Sequence, residues 1–279
     1  MFYADNSKTS ITDLAKVASE PQTVIYAATL SGTPENVEKA VTLKHIVTKI
    51  SLKHTGTSFA VSEGDVLTFT YPCADSYNIS KSSPSTGNYK TFSYTFDAGR
   101  TINDGDEICS FYTIAPSNNN ELSDITLKLY VYSRTISDVD LQANTHIVLQ
   151  GNLSEAQEES EAYKKETFLS CFYDENGNPK GDLMNSGIYR FRSSEESVKI
   201  LLESYLQIPF PIRGNKTIYK FGYQMTIIDL EQGYVYIFLK PENGGDQGYG
   251  FYIYYQGEES EKEYPEFIIP ELPWKNDSN

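Results

Sequence analysis

Ile125-Thr126-Leu127-Lys128-Leu129-Tyr130-Val131-Tyr132 decides the fold class of this 279-residue chain. Ile125, Leu127, Leu129 and Val131 point one way, and Thr126, Lys128, Tyr130 and Tyr132 point the other. That is the period of a β-strand with one buried face; a helix would return its apolar residues every third or fourth position. Further strand-like runs lie at 23–30, 41–52, 65–71, 89–96, 107–115 and 145–149. Turn clusters such as Glu63-Gly64-Asp65 and Asn103-Asp104-Gly105-Asp106 separate them. Short strands punctuated this closely predict a sandwich, not βαβ units.

Some runs are ambiguous. In 41–52, Leu43, Ile46, Val47 and Ile50 would also fit a helical stripe, but the density of β-branched residues favours a strand with a bulge. Ser10-Ile11-Thr12-Asp13 resembles a capping box, followed by Leu14 and Val17 at helical spacing. Residues 151–166 are rich in charge, with no face worth burying, and read as a linker or surface helix. They divide the chain into domains at 1–152 and 153–279. In the second half, strands are predicted at 167–173, 217–230, 234–240, 250–255 and 266–269, with a hairpin-type turn at Asn176-Gly177. Ser193-Ser194-Glu195-Glu196 caps a helix carrying Val198, Leu201, Leu202 and Tyr205 on one face, and Pro209 stops it.

Composition agrees with sheet. The chain holds 22 Tyr and 14 Phe but only 3 Met and 1 Trp, a set suited to pleated, half-buried surfaces. Its length exceeds one ordinary sandwich of about 100 residues and suits two. The net charge of −15 repels phosphate backbones and anionic membranes, which argues against nucleic acid as a partner. No run reaches the roughly 18 to 20 apolar residues of a membrane span. The start, Met1-Phe2-Tyr3-Ala4-Asp5, lacks a basic region followed by an apolar core, so the chain reads either as cytoplasmic or as a mature form. Cys73, Cys109 and Cys171 are too few and too scattered for a disulfide framework; one Cys73–Cys109 bridge and three free thiols both remain open.

Catalytic motifs are scarce. His45, His54 and His146 show no metal-binding spacing, and no nucleophile elbow, phosphate loop or dinucleotide fingerprint appears. Counted as a calcium loop from Asp174, the sixth residue is Pro179 where glycine is required, and the twelfth is Asn185 where glutamate is required. Asp174–Asn178 therefore reads as a turn. The expectation is a non-enzymatic protein with no metal and no cofactor.

Two features near the end invite binding. Tyr249, Tyr252, Tyr254 and Tyr255 crowd one strand, after Tyr234, Tyr236 and Phe238. Alternation places Tyr249, Phe251 and Ile253 on one face and Tyr252 and Tyr254 on the other, where outward tyrosines can stack on sugars or partner proteins or simply cover the sheet. The tail 264–274 carries Phe267, Ile268 and Ile269 between Pro265 and Pro270. It suits either an edge strand of its own sheet or a strand donated to a neighbour.

Residues 41–52 (VTLKHIVTKISL) and 141–151 (LQANTHIVLQG) resemble an early core strand and the closing strand of the first domain in the fimbrillin-like proteins of Bacteroidales. The likeness covers roughly 40–152; the second half matches in composition and strand rhythm only. The resemblance implies an all-β chain of two tandem transthyretin-like β-sandwich domains with a few short helices. It further implies a pilus (fimbrial) structural or adhesion subunit on the extracellular side of the outer membrane, assembling with other pilus subunits by strand exchange. Host proteins or glycans would be further partners, and the membrane is met only through a lipid anchor on a cysteine that this chain lacks. The alternative is a carbohydrate-binding surface lipoprotein using its exposed tyrosines.

Overall fold

The structure, a computed structural model, describes residues 10–11, 26–27, 44–78, 83–116, 122–181, 187–228, 232–243 and 247–275. The chain is all-β, with strands in several sheets, and it divides into two compact units, Met1–Glu159 and Ser160–Asn279.

The first unit is built on seven principal strands: β1 (Thr48–His54), β2 (Val66–Ala74), β3 (Gly87–Thr95), β4 (Glu107–Thr113), β5 (Ser123–Leu129), β6 (Tyr132–Val139) and β7 (His146–Gly151). One sheet has the order β4-β1-β7, with β7 parallel to β1; the other has the antiparallel order β6-β5-β2-β3. The sheets meet through aromatic side chains. Phe111 of β4 lies 5.1 Å from Phe69 and 5.0 Å from Tyr71 of β2, and 4.4 Å from Phe92 of β3, in offset contacts between ring centroids. Buried Ile50, Leu67, Leu127 and Leu129 complete the core, so this unit is a sandwich.

The structure corrects the sequence reading at several points. The strand beginning at 123 stops at Leu129, because Tyr130 takes a left-handed φ of 55° and turns the chain into β6. Run 41–52 breaks into Lys44–His45 and Thr48–His54, since Ile46 and Val47 are both buried, in a side cluster with Ala74, Tyr77 and Ile114. Ser10–Ile11 pairs with Tyr77–Asn78 instead of opening a helix; the rest of that helix candidate lies outside the described residues. Of the run 23–30, only Tyr26–Ala27 is described, paired with Lys44–His45. The three cysteines are free thiols.

The second unit holds one five-stranded sheet of order β8-β12-β11-β10-β9. Its strands are β8 (Ile188–Arg192), β9 (Lys216–Lys220), β10 (Tyr223–Ile228), β11 (Tyr234–Pro241) and β12 (Tyr249–Tyr254). Among the described residues no second sheet packs on it, so this unit is not the β-sandwich that the sequence predicts; helices cover one face instead. α1 (Ser154–Phe172) buries Phe168 and Phe172, and the division between the units falls within it. α2 (Glu195–Lys199) widens into a π-turn at Ile200–Tyr205 and buries Val198, Leu201, Leu202 and Tyr205. Ser194 caps α2 by accepting from the Ser197 N–H, one residue later than the Ser193–Glu196 box places the cap, because Ser193 Oγ is turned to the Phe267 carbonyl.

α1 bears out the surface-helix alternative for 151–166 over the linker, and it overturns the strand at 167–173: the helix continues through Phe172, and Phe168 and Phe172, four residues apart, are buried on one side of it. The predicted strand 217–230 is a hairpin, because Phe221 and Gly222 both have positive φ (59° and 84°) and make a two-residue turn. The predicted strand 266–269 reduces to a single parallel bridge between Glu266 and Arg192. Pro265 and Pro270 lack the N–H groups that a longer ladder needs.

Candidate functional site

The face of the second sheet opposite the helices is aromatic. Register puts Tyr252 of β12 between Tyr236 of β11 and Arg190 of β8, and Tyr254 between Tyr234 and Arg192. Ring centroids are 4.6 Å apart for Tyr236–Tyr252 and 5.6 Å for both Tyr234–Tyr252 and Tyr234–Tyr254. Tyr264, entering the tail, stacks on Tyr254 with 21° between the ring planes and donates its hydroxyl proton to Glu259. The Arg190 guanidinium lies 5.8 Å from the Tyr252 ring centroid, within cation–π range.

Two glycines let these rings lie down on the sheet. A Cβ at Gly250 would stand 2.6 Å from the Tyr236 hydroxyl, and one at Gly248 would stand 2.1 Å from Phe238 Cζ. The rings therefore lean across bare backbone and form a low slab instead of protruding singly. Burial raises the pKa of Tyr236 and Tyr254 above the ordinary phenol value, with Tyr252 adding to the first and Arg190 partly offsetting the second. Both phenols stay neutral at physiological pH and can donate or accept hydrogen bonds. Half-buried rings with neutral hydroxyls offer stacking plus polar contact.

The four tyrosines singled out by sequence do not form one site. Tyr252 and Tyr254 belong to the slab. Tyr249 faces the helical side, edge-on to Tyr173 at 5.9 Å, and Tyr255 lies past the strand end against Phe210. Sequence missed Arg190, Tyr264 and the glycines. Tyr234 and Tyr236 carried a usable signal, sharing one phase of alternation with Phe238.

In the tail, Phe267 and Ile269 are buried while Ile268 is 61% exposed, the alternation of an edge strand. Arg192 N–H donates to the Pro265 carbonyl and Phe267 N–H to the Arg192 carbonyl. Leu272 and Trp274 are buried farther along, and the Tyr205 hydroxyl donates to the Pro270 carbonyl.

The other chemical candidates are structural. His54 is fully buried, with Nε2 on the Thr57 carbonyl and Nδ1 accepting from the Leu153 N–H. His146 bonds to Ser51 Oγ; the side chain of His45 lies outside the described residues. Asp174 Oδ1 accepts from the Asn176 and Asn178 N–H groups and fixes the turn. No group of three or more His, Cys, Asp or Glu is placed to hold a metal among the described residues.

No family model and no curated protein matches the chain. Among solved structures, it is similar to a candidate cell adhesion protein from Bacteroides eggerthii, 13% identical, over 41% of this chain and 49% of that one, with a TM-score of 0.20. The chain thus spans about half the length of that relative. A second match is the sporulation control protein Spo0M of Bacillus subtilis, 12% identical, covering 74% of this chain and 88% of that one, with a TM-score of 0.14. At such scores neither likeness bears on the site, which rests on its own geometry.

Proposed function

We propose that this chain is a non-catalytic adhesion subunit of the bacterial cell surface that grips a glycan through the tyrosine slab of its second unit. The observation that carries this reading is the set of rings laid flat over Gly248 and Gly250. Flat aromatic surface matches the apolar C–H face of a pyranose, and neutral phenol hydroxyls at its rim match sugar hydroxyls. Glycan-array screening followed by calorimetry tests it. Tyr252→Ala should weaken binding about three- to tenfold, the worth of one aromatic contact. Tyr89→Ala, an exposed tyrosine of the first unit, should leave binding unchanged. Equal losses in both variants, or no glycan bound at all, would remove the proposal.

A second reading is favoured by the tail: assembly with like subunits by strand addition, as in a pilus. An extended segment seated by alternate side chains and only two backbone hydrogen bonds to β8 can be exchanged for that of a neighbour. Sedimentation velocity should then show polymers that grow with concentration and shorten when a synthetic 264–275 peptide is added. A protein that stays monomeric and does not take up labelled peptide is not a strand-exchange subunit.

A further inference from the structure

On the helical side of the second sheet, away from the slab, α1 ends over a cleft of about 700 Å³. That volume falls within the range of small-molecule sites. Its walls are phenols. Tyr173 follows the last turn of α1, while Tyr249 and Tyr223 begin β12 and β10, the strands on either side of β11, and Leu169 and Pro241 also line the cleft. The Tyr173 and Tyr249 rings meet edge-on at 86°, so their π-faces look in different directions, as the walls of a cage do.

The charge around this cleft has one dominant sign. Among the described residues, Glu166, Asp174 and Glu175 line it against a single cation, Lys180. Lys180 is turned to the protein: its Nζ donates to the Ser170 carbonyl at 2.6 Å, one of the last carbonyls of α1. Asp174 keeps its charge, because the Asn178 backbone N–H, followed by its side chain and Asn176, holds the carboxyl below its ordinary range. α1 adds the negative end of its dipole and has no basic residue in its last turn. Among the described residues, the Tyr173 hydroxyl is buried without a hydrogen-bond partner, an acceptor that an N–H group could satisfy. Burial, then the neighbouring tyrosines, pushes its pKa up, so it stays a neutral phenol.

We propose that this cleft binds an organic ammonium ion, an alkylamine carried either by a free polyamine or by a lysine side chain. Phenol faces stabilise the cation and its methylenes, the carboxylates pair with its charge, and the overall negative field of the chain draws it in. The site is independent of the slab, so loss of one leaves the other standing.

Calorimetric titration of the full chain with cadaverine, spermidine and Nα-acetyl-lysine amide tests this, with 1,5-pentanediol as the uncharged counterpart of cadaverine. The amines should bind about tenfold or more tightly than the diol, and less tightly as salt rises from about 20 to 200 mM. Glu166→Gln/Glu175→Gln should weaken amine binding about tenfold, and Tyr173→Phe severalfold, with the thermal unfolding curve unchanged. Tighter binding of spermidine identifies a free polyamine as the ligand; tighter binding of the lysine amide identifies a side chain on a partner. Diol bound as tightly as cadaverine, amine affinity unmoved by the double variant, or no amine binding at about 10 mM overturns the proposal.

Discussion

Phe172→Ala should destabilise the second unit by about 3–5 kcal/mol. Phe172 is fully buried, and its ring lies 4.9 Å from Phe168, 4.6 Å from Phe251 and 5.1 Å from Phe267. It joins three elements at one point: α1, the sheet and the tail. Truncation removes the ring's transfer free energy and leaves a void that the rigid sheet cannot collapse to fill. The measurement is simple because the chain has one tryptophan, Trp274, buried in the second unit. Urea unfolding followed by tryptophan fluorescence therefore reports that unit directly. A midpoint shifted by less than a quarter of the expected energy would show that the helix does not hold the sheet in this way.

Gly250→Ala should do the opposite: leave the fold largely intact and abolish slab binding. The added methyl would stand 2.6 Å from the Tyr236 hydroxyl and 2.9 Å from its Cε2. These atoms are the far end of a side chain that can swing away, so the backbone is not forced to move. Alanine in a strand interior is, if anything, less costly than glycine, by roughly 0.5–1 kcal/mol. The ring, however, must leave the sheet surface and take the Tyr236–Tyr252 contact with it. Glycan affinity should fall tenfold or more, beyond a single lost contact, while the tryptophan unfolding curve moves by less than about 1 kcal/mol. Unchanged affinity would mean that the flat placement of the rings has no part in binding.

The strands of the first unit were legible because their buried faces alternate, as Ile125, Leu127 and Leu129 do. What followed Leu129 was not, because the turn is made by Tyr130 at positive φ, where a glycine or asparagine would have announced it. α1 was legible only as one of two alternatives for 151–166, and its continuation through Phe172 did not show. Ala156 and Ser160 are buried for their small size and not for their hydropathy, so the apolar signal survives only at Phe168 and Phe172. Two phenylalanines four apart beside charged residues then resembled a short strand. In the slab, alternation did reveal the outward phase of Tyr252 and Tyr254. Arg190 was hidden because β8 carries arginine at 190 and 192, looks polar, and earns its place only by parallel pairing with β12, a contact about 60 residues distant in sequence.

β7 lies parallel to β1, with Ile147 opposite Ile50 and Leu149 opposite Leu52. A chain leaving a ribosome or a secretion channel N-terminus first therefore exposes one side of β1 until its partner emerges. Closing so large a loop is slow compared with forming the adjacent hairpins. During that interval the unpaired flank is a template for any extended polypeptide nearby. The closing strand at 146–151 is thus the step that ends the exposure of β1 during biogenesis.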